Sequence, residues 1–186
     1  MPRQLPHIRE AGPEDAAELL GLWADTVRRG ETTPRANEDA ERALANMAAD
    51  ADEQLLVAES EGRIVAAMKL SRAPLSPLVL DCAVHTSFLL VRPEFRRHGY
   101  GHALMHAALE WAEEKDVNEL TVITDGDRDT NRFFARLGLS TLGTVRHCSV
   151  VGLRKKLSAE RGSTGNRHLK QVLARRRSMR RRQASA

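Results

Sequence analysis

One stretch of the chain, residues 88–102, constrains the fold more than any other. Its first four residues are apolar and predict a buried strand, which a proline then ends. Gly99 and Gly101 allow a tight turn and leave room for a ligand to approach the backbone. A helix is predicted to follow. The N–H groups at its start, with Arg96 and Arg97 beside them, form a suitable cradle for phosphate groups.

The spacing of the loop residues narrows the class of ligand that the loop could bind. A Walker loop needs a Gly-Lys pair, which does not occur in the sequence, and a dinucleotide fingerprint needs G-x-G-x-x-G after an early strand. The pattern Arg96-x-x-Gly99-x-Gly101, preceded by Leu89-x-Val91, resembles the acyl-CoA loop of the GNAT superfamily of N-acetyltransferases. An ordinary strand-to-helix turn with solvated arginines is the alternative.

Helices and strands alternate along the rest of the chain, which predicts an α/β sandwich of layers. A hairpin turn is expected at Glu61-Gly62-Arg63. The predicted strands are residues 8–11, 55–58, 64–70, 80–91 and 120–124, with one or two more in 144–157, and the predicted helices are 13–27, 38–49, the segment after Gly101 and 130–137.

A second motif extends the resemblance to residues 8–157. The segment 130–139, TNRFFARLGL, is similar to the "A-x-x-F-Y-x-x-L-G-F" helix of the same superfamily. The implied fold class is α/β (α+β), a mixed, mostly antiparallel sheet with helices on both faces. Its fourth and fifth strands are expected to splay apart, so that the pantetheine arm of acetyl-CoA can enter the gap.

The resemblance also implies which residues bind acetyl-CoA. Pantetheine would pair with the backbone of the central strand, and the pyrophosphate would lie on the amides at 97–102. A backbone N–H of the splayed strand would polarise the acyl carbonyl, and the amine acceptor would attack directly from the opposite face. The implied binding residues are Leu89, Leu90, Val91, Arg96, Arg97, His98, Gly99, Tyr100, Gly101 and His102, with Asp127 and Phe134 on the second motif.

Two positions depart from the pattern of the superfamily. Many members carry a tyrosine that protonates the leaving thiolate, and the matching position holds Phe134. The only tyrosine of the chain, Tyr100, lies in the phosphate loop, so water, a hydroxyl such as Ser87 or Thr130, or no acid at all remain the alternatives. Asp127 replaces an asparagine, and an ionised carboxylate accepts hydrogen bonds but cannot donate them.

A general base is needed because the attacking amine is protonated at neutral pH. Members that acetylate lysine in proteins use a glutamate at the position of His85, and an imidazole suits this task. Alternation along the strand places Ser87 on the same side, unless a bulge intervenes. A half-buried structural histidine is the alternative, and Asp81 is a lower-ranked candidate base.

No metal site is predicted. His102 and His106 would share a helix face, but only Glu110 is in phase to complete a set of ligands. The two cysteines, Cys82 and Cys148, are expected to be reduced and mostly buried.

The chain is predicted to consist of an acetyltransferase domain, residues 1–157, and a basic tail, residues 158–186. The tail carries nine basic residues and one acid, whereas the remaining 157 residues carry 20 basic and 24 acidic side chains. Such a charge block is typical of an interaction tail. It could bind nucleic acid through residues 161–182, fold back on the acidic domain, or contact a second copy of the chain in a homodimer.

The sequence therefore predicts an acetyl-CoA-dependent N-acetyltransferase acting on a primary amine of a small molecule or protein. No apolar segment predicts membrane contact, so a cytoplasmic location is expected. Two other functions stay open at this stage: a non-catalytic acyl-CoA sensor, which Phe134 motivates, and a nucleic-acid-associated protein that acts through its tail.

Overall fold

The computed structural model describes residues 6–26, 36–124 and 127–158 of the 186-residue chain. Nearly all of the basic tail, including the expected nucleic-acid segment 161–182, lies outside these ranges. The chain divides into two compact units, Met1–Ser140 and Thr141–Ala186. The predicted domain boundary after residue 157 falls inside the second unit.

The first unit contains a five-stranded sheet in the order β1-β2-β3-β4-β5. Neighbouring strands are antiparallel except β4 and β5, which are parallel. Glu61 and Gly62 form the predicted hairpin turn between β2 and β3, and both have positive φ (51° and 74°), as a two-residue hairpin turn requires. The strands are β1 (His7–Glu10), β2 (Glu53–Ser60), β3 (Arg63–Pro74), β4 (Cys82–Val91) and β5 (Glu119–Val122).

Helices cover both faces of this sheet, as the sequence predicted. They are α1 (Ala16–Thr26), α2 (Ala36–Ala48), α3 (Tyr100–Glu114) and α4 (Arg128–Arg136). On one face, α3 packs on the sheet through Leu104, Ala108 and Trp111. On the other face, α1 and α2 pack through residues that include Leu22 and Leu44. The mixed, mostly antiparallel sheet with flanking helices is the predicted fold class.

The segment 144–157 was expected to be strand, and this prediction is wrong. Residues 150–158 are helical, and residues 141–149 have no regular structure. The Ser149 hydroxyl accepts a hydrogen bond from the N–H of Gly152 (3.0 Å), and the Ser149 carbonyl accepts one from Leu153 (2.9 Å). A serine that binds the N–H three residues later starts a helix, and this local capping outweighs the strand propensity of Val150 and Val151.

None of the helices in the described ranges is long and apolar enough to cross a membrane. Both cysteines were expected to be mostly buried, but Cys82 is only partly buried and the expectation is wrong for Cys148, which is exposed; both are free thiols.

Candidate active site

The loop between β4 and α3 presents backbone N–H groups at the start of a helix. A 3₁₀ turn over Pro93–Phe95 follows β4, and Gly99 then caps α3 in the left-handed region (φ 94°). The first intrahelical bond joins the N–H of Ala103 to the carbonyl of Gly99 (3.0 Å). The N–H groups of Tyr100, Gly101 and His102 precede this bond and have no acceptor within the helix. Local geometry therefore provides the donors that an anion needs.

Side chains of the same loop add positive charge. Arg96 and Arg97 are exposed, and Arg97 adopts a positive φ of 65°. Arg96 donates from Nε to the carbonyl of Val91 (3.3 Å), and His98 donates from Nδ1 to the carbonyl of Arg96 (2.8 Å). The first bond ties the loop to the end of β4 and the second joins two residues of the loop, while both arginines stay exposed shortly before α3 begins at Tyr100.

The start of α3 packs closely against α4. A Cβ at Gly101 would lie 3.4 Å from Cζ of Phe133, so a residue larger than alanine at this position would press against the ring. The ring of His102 meets the ring of Phe133 edge to face, with centroids 5.0 Å apart. His102 therefore has a packing role at this contact, in addition to the phosphate contact that the sequence predicts.

A gap opens between β4 and β5, next to this loop. The two strands pair only from Ala83 with Glu119 to Thr86 with Val122, although β4 continues to Val91. The N–H of Ile123 makes the last bond across this pair, to the carbonyl of Thr86 (2.9 Å). The backbone of β4 beyond Thr86 thus has no strand partner on this side among the described residues. Leu89, Leu90 and Val91, the predicted pantetheine-binding residues, lie along this edge.

A β-bulge lies at the same place in β4. Ser87 pairs with Lys69 of β3, and Leu90 pairs with Ala67, so Phe88 and Leu89 both oppose the single residue Met68. Phe88 has a positive φ of 54°, and its exposed ring lies 6.1 Å from that of Trp23 in α1. A β-bulge is defined by two residues of one strand that oppose a single residue of the partner strand. One backbone unit of the bulged strand is then left outside the hydrogen-bonded ladder.

The bulge reverses which side chains face each layer of helices. Before it, Val84 packs with α3, whereas after it Leu89 and Val91 do so. Ser87 lies on the α1–α2 face, because its partner Lys69 pairs in turn with Leu55 of that face. His85 and Ser87 both precede the bulge and share this face, as predicted.

His85 has hydrogen-bond partners on both ring nitrogens. Nε2 lies 3.2 Å from the carbonyl of Ala73 and Nδ1 lies 2.7 Å from the hydroxyl of Thr121. A carbonyl only accepts, so Nε2 carries the hydrogen of the neutral ring and Nδ1 accepts from Thr121. A base role would therefore place the incoming proton on Nδ1, with the Thr121 hydroxyl turned to accept from it. The contacts explain the position of His85 structurally, and its base role stays a prediction.

Asp127 and Phe134 have structural roles on α4. Asp127 is the N-cap of this helix, and its carboxylate accepts from the N–H groups of Asp129 (2.8 Å) and Thr130 (3.1 Å) and from the hydroxyl of Thr130. Phe134 is buried, and its ring meets that of Phe133. Capping by itself accounts for an acidic residue at position 127, and contact of either residue with acetyl-CoA stays a prediction.

Tyr100 does not occupy the position of the missing tyrosine, which holds Phe134. Its ring packs edge to face against Phe95, with centroids 6.0 Å apart, beside the phosphate loop. Within the described ranges, no group of three His, Cys, Asp or Glu side chains is placed to hold a metal ion. His106 instead meets Glu110 one turn later (3.4 Å).

Sequence reasoning missed three features of this site: the bulge at Phe88, the contact of Gly101 with Phe133, and the buried hydroxyl of Thr86. Nothing local distinguishes Phe88 or Thr86 from other strand residues. Gly101 was recognised only as part of the loop pattern, and that pattern does not reveal its contact with Phe133.

Comparison with known proteins agrees with this geometry. The family model described as "Acetyltransferase (GNAT) family" matches residues 18–139. An amino-acid acetyltransferase of Pseudomonas aeruginosa is 31% identical over 121 residues, which are 65% of this chain but 25% of that protein. The chain thus spans about a quarter of the length of the relatives that it matches.

Solved structures share the fold at low sequence identity. A transcriptional regulator from Bacillus halodurans superposes with a TM-score of 0.70 at 23% identity, covering 78% of this chain and 99% of its own. Glucosamine-6-phosphate N-acetyltransferase from Arabidopsis thaliana superposes with a TM-score of 0.67 at 16% identity, covering 79% and 99%.

Proposed function

Because this chain belongs to the GNAT acetyltransferase family, we propose that it is an acetyl-CoA-dependent N-acetyltransferase that transfers the acyl group directly to a primary amine. One observation carries the proposal. The N–H groups at the start of α3 lie at the end of the same strand whose edge is open toward β5. An anion cradle beside an open strand edge suits a ligand with a phosphate end and an extended amide arm.

The open strand and the loop divide the binding of acetyl-CoA between them. The N–H groups of Tyr100, Gly101 and His102, with Arg96 and Arg97, would hold the pyrophosphate. Amide groups of pantetheine would pair with the free edge of β4 at Leu89 to Val91. A backbone N–H at the bulge of Phe88 and Leu89, outside the ladder, would polarise the acyl carbonyl. Most of the rate acceleration would then come from positioning and preorganised dipoles.

The acceptor would approach from the α1–α2 face. Polar side chains line this face of β3 and β4 near the bulge: Lys69, Ser71, His85 and Ser87. Lys69 also forms an ion pair with Glu53 (2.8 Å), and both side chains are about one-third exposed. A face with one cation and one anion suits a small zwitterion. The similarity to amino-acid acetyltransferases also makes amino acids the first acceptors to test.

The proposal is tested by two measurements on the same preparation. Calorimetry should give micromolar affinity for acetyl-CoA, and thiol detection should show release of CoA that depends on the amine in a panel of amino acids, polyamines, aminoglycosides and lysine peptides. Binding of acetyl-CoA with no amine-dependent release across the panel would instead favour the non-catalytic sensor. Absence of binding would contradict both functions.

Replacing His85 with alanine tests the proposed base. If Nδ1 takes the proton of the acceptor, His85→Ala should lower kcat/KM about 100-fold near neutral pH. The loss should shrink at higher pH, where more of the amine is already neutral, and the affinity for acetyl-CoA should not change. The measurement is the pH dependence of kcat/KM for the best amine. A parallel loss at every pH would assign His85 to the structural role that its bonds to Ala73 and Thr121 describe.

A further inference from the structure

Phe88 combines two properties that a strand residue rarely has. Its backbone lies in the left-handed region (φ 54°), and its side chain is 53% exposed although it is large and apolar. A bulky residue rarely adopts a positive φ, whereas glycine does so without steric cost. Folding by itself would therefore favour glycine at position 88, because the ring neither relaxes the backbone nor becomes fully buried. Backbone strain of this kind clusters at functional sites.

The exposed ring of Phe88 has an aromatic neighbour in α1. The ring centroids of Phe88 and Trp23 lie 6.1 Å apart, and the ring planes are inclined by 48°. Trp23 is partly buried and packs against the core cluster of the α1–α2 face, which includes Leu22 and Leu44. We call Trp23 and Phe88 the aromatic pair. Together they form an apolar surface on the α1–α2 side that is anchored in the core at Trp23 and open to solvent at Phe88.

The aromatic pair lies where the acceptor would approach. Phe88 is one of the two bulge residues whose backbone would polarise the acyl carbonyl, and the preceding residue, Ser87, pairs with Lys69 on the α1–α2 face. The acceptor nitrogen must come close to the acyl carbon before it can attack. A substituent carried by the amine on a short carbon chain would therefore lie near the two rings.

The chemistry of the aromatic pair favours an apolar substituent. A phenyl or large aliphatic group buries apolar surface against both rings, and aromatic groups gain further from edge-to-face or offset contacts. A cation is also attracted to the face of a ring, but this attraction is weak at a site as exposed as Phe88. Lys69 and Glu53 form an ion pair on the same face (2.8 Å), so these two side chains add no net charge that would attract a second cation.

We propose that Trp23 and Phe88 bind an aromatic or large apolar group of the acceptor, and that they select primary amines that carry such a group. This inference rests on the proposed acetyltransferase function and names its class of substrate. The two side chains select and position the acceptor, and they take no part in proton transfer. The proposal also explains the strained backbone, since the bulge conformation places a ring where the acceptor would approach.

Two pairs of acceptors that differ by one phenyl group test this selectivity. They are phenylalanine against alanine and phenethylamine against ethylamine, and spermidine is added as a polycationic acceptor. The measurement is kcat/KM for each amine with saturating acetyl-CoA, followed by thiol detection. The wild type should prefer the phenyl member of each pair by at least about 10-fold. It should use spermidine less well than phenethylamine.

Substitutions at the aromatic pair should remove the preference without removing the activity. Phe88→Ala and Trp23→Ala should each reduce it to less than about 3-fold, with kcat/KM for ethylamine within about 2-fold of the wild type. Phe88→Gly should lose the preference in the same way, and it guards against misfolding because glycine accepts the positive φ without strain. Leu109→Ala is the matched control. It removes a side chain of similar exposure (50%) from α3, which covers the opposite face of the sheet, and should keep the preference of the wild type.

Four results would overturn the role of the aromatic pair. An active wild type with no preference within either pair, or with a preference for spermidine, would leave the proposed function standing and contradict the inference. A preference that persists in both Phe88→Ala and Phe88→Gly would place the selectivity elsewhere. An equal loss for ethylamine and phenethylamine, together with a lower unfolding temperature, would show that the rings only support the fold of the bulge. If the wild type releases no CoA with any amine, the proposed function itself fails, and the inference fails with it.

Discussion

Gly99→Asp is expected to abolish measurable acetyl-CoA binding. Gly99 has a φ of 94° and caps the helix whose first N–H groups would hold the pyrophosphate. Apart from the two chain neighbours, no residue has an atom within 4 Å of an added Cβ, so the aspartate adds backbone strain at this positive φ and a carboxylate beside the anion site. Repulsion of the phosphates and occupation of the same donors should lower affinity by at least about 100-fold. Calorimetric titration with acetyl-CoA at fixed salt measures this directly.

Gly62 provides a matched control for this substitution. It also has a positive φ (74°) and open space around a built Cβ, but it lies in the hairpin turn between β2 and β3. Gly62→Asp therefore introduces a similar backbone strain and the same charge away from the loop. It should bind acetyl-CoA like the wild type. Equal affinity in Gly99→Asp and the wild type would remove the phosphate role of this loop.

Among these substitutions, Arg9→Met is expected to lower the free energy of unfolding the most. Arg9 donates two hydrogen bonds to the carboxylate of Asp15 (2.7 and 2.8 Å) and a third to Glu59 (2.7 Å). Asp15 is buried and also accepts from the N–H of Gly12 (2.8 Å), so this group joins β1, β2 and the start of α1. Removing the arginine leaves a buried carboxylate without its counter-charge, which costs about 3 kcal/mol of unfolding free energy. Denaturant unfolding at pH 7 measures the difference.

Arg63→Met is the control, because Arg63 is exposed at the start of β3. Its unfolding free energy should change by less than about 0.5 kcal/mol. If Arg9→Met changes the unfolding free energy no more than Arg63→Met does, the ion pair between Arg9 and Asp15 makes no net contribution to the stability of the fold.

The same pair predicts how stability depends on pH. The hydrogen bonds from Arg9 lower the pKa of Asp15 below its usual value near 3.8, against the opposing effect of burial, and the bond from Gly12 adds to the lowering. A depressed pKa in the folded state gives stability that is fully present above the unfolded value and is lost as pH falls through the folded value. The difference between the wild type and Arg9→Met should therefore be largest at neutral pH and shrink below about pH 3.8.

Elements that depend on local signals were predicted well. The turn at Glu61-Gly62, the loop at Gly99 and the helix after it lie where the sequence placed them, within a few residues. Glycines in turns and apolar residues at helical spacing are signals that depend only on residues close together in the sequence. Turns and helices can therefore be predicted from them without knowledge of the tertiary structure.

Other contacts in the structure could not be read from the sequence pattern. The valines at 150 and 151 favoured a strand, but a strand needs a partner, and the capping bond of Ser149 gave the segment a helix instead. His85 was recognised as a candidate base, yet its bonds to Ala73 and Thr121 come from other strands and could not be seen in the sequence. Asp127 was predicted from the family pattern to contact acetyl-CoA; its carboxylate caps α4, and that contact stays a prediction.

The sequence by itself determined the family resemblance, the phosphate loop and the alternation of helices and strands, because each depends on residues close together in the chain. Tertiary structure alone decided where β4 separates from β5 and which side chains face each layer of helices. The bulge at Phe88 reverses that assignment for every later residue of β4, and the last bond to β5 leaves Thr86 at the beginning of the gap. Both depend on pairing with strands that lie up to 36 residues away, such as Thr121 opposite His85, so no local pattern in the sequence encodes them.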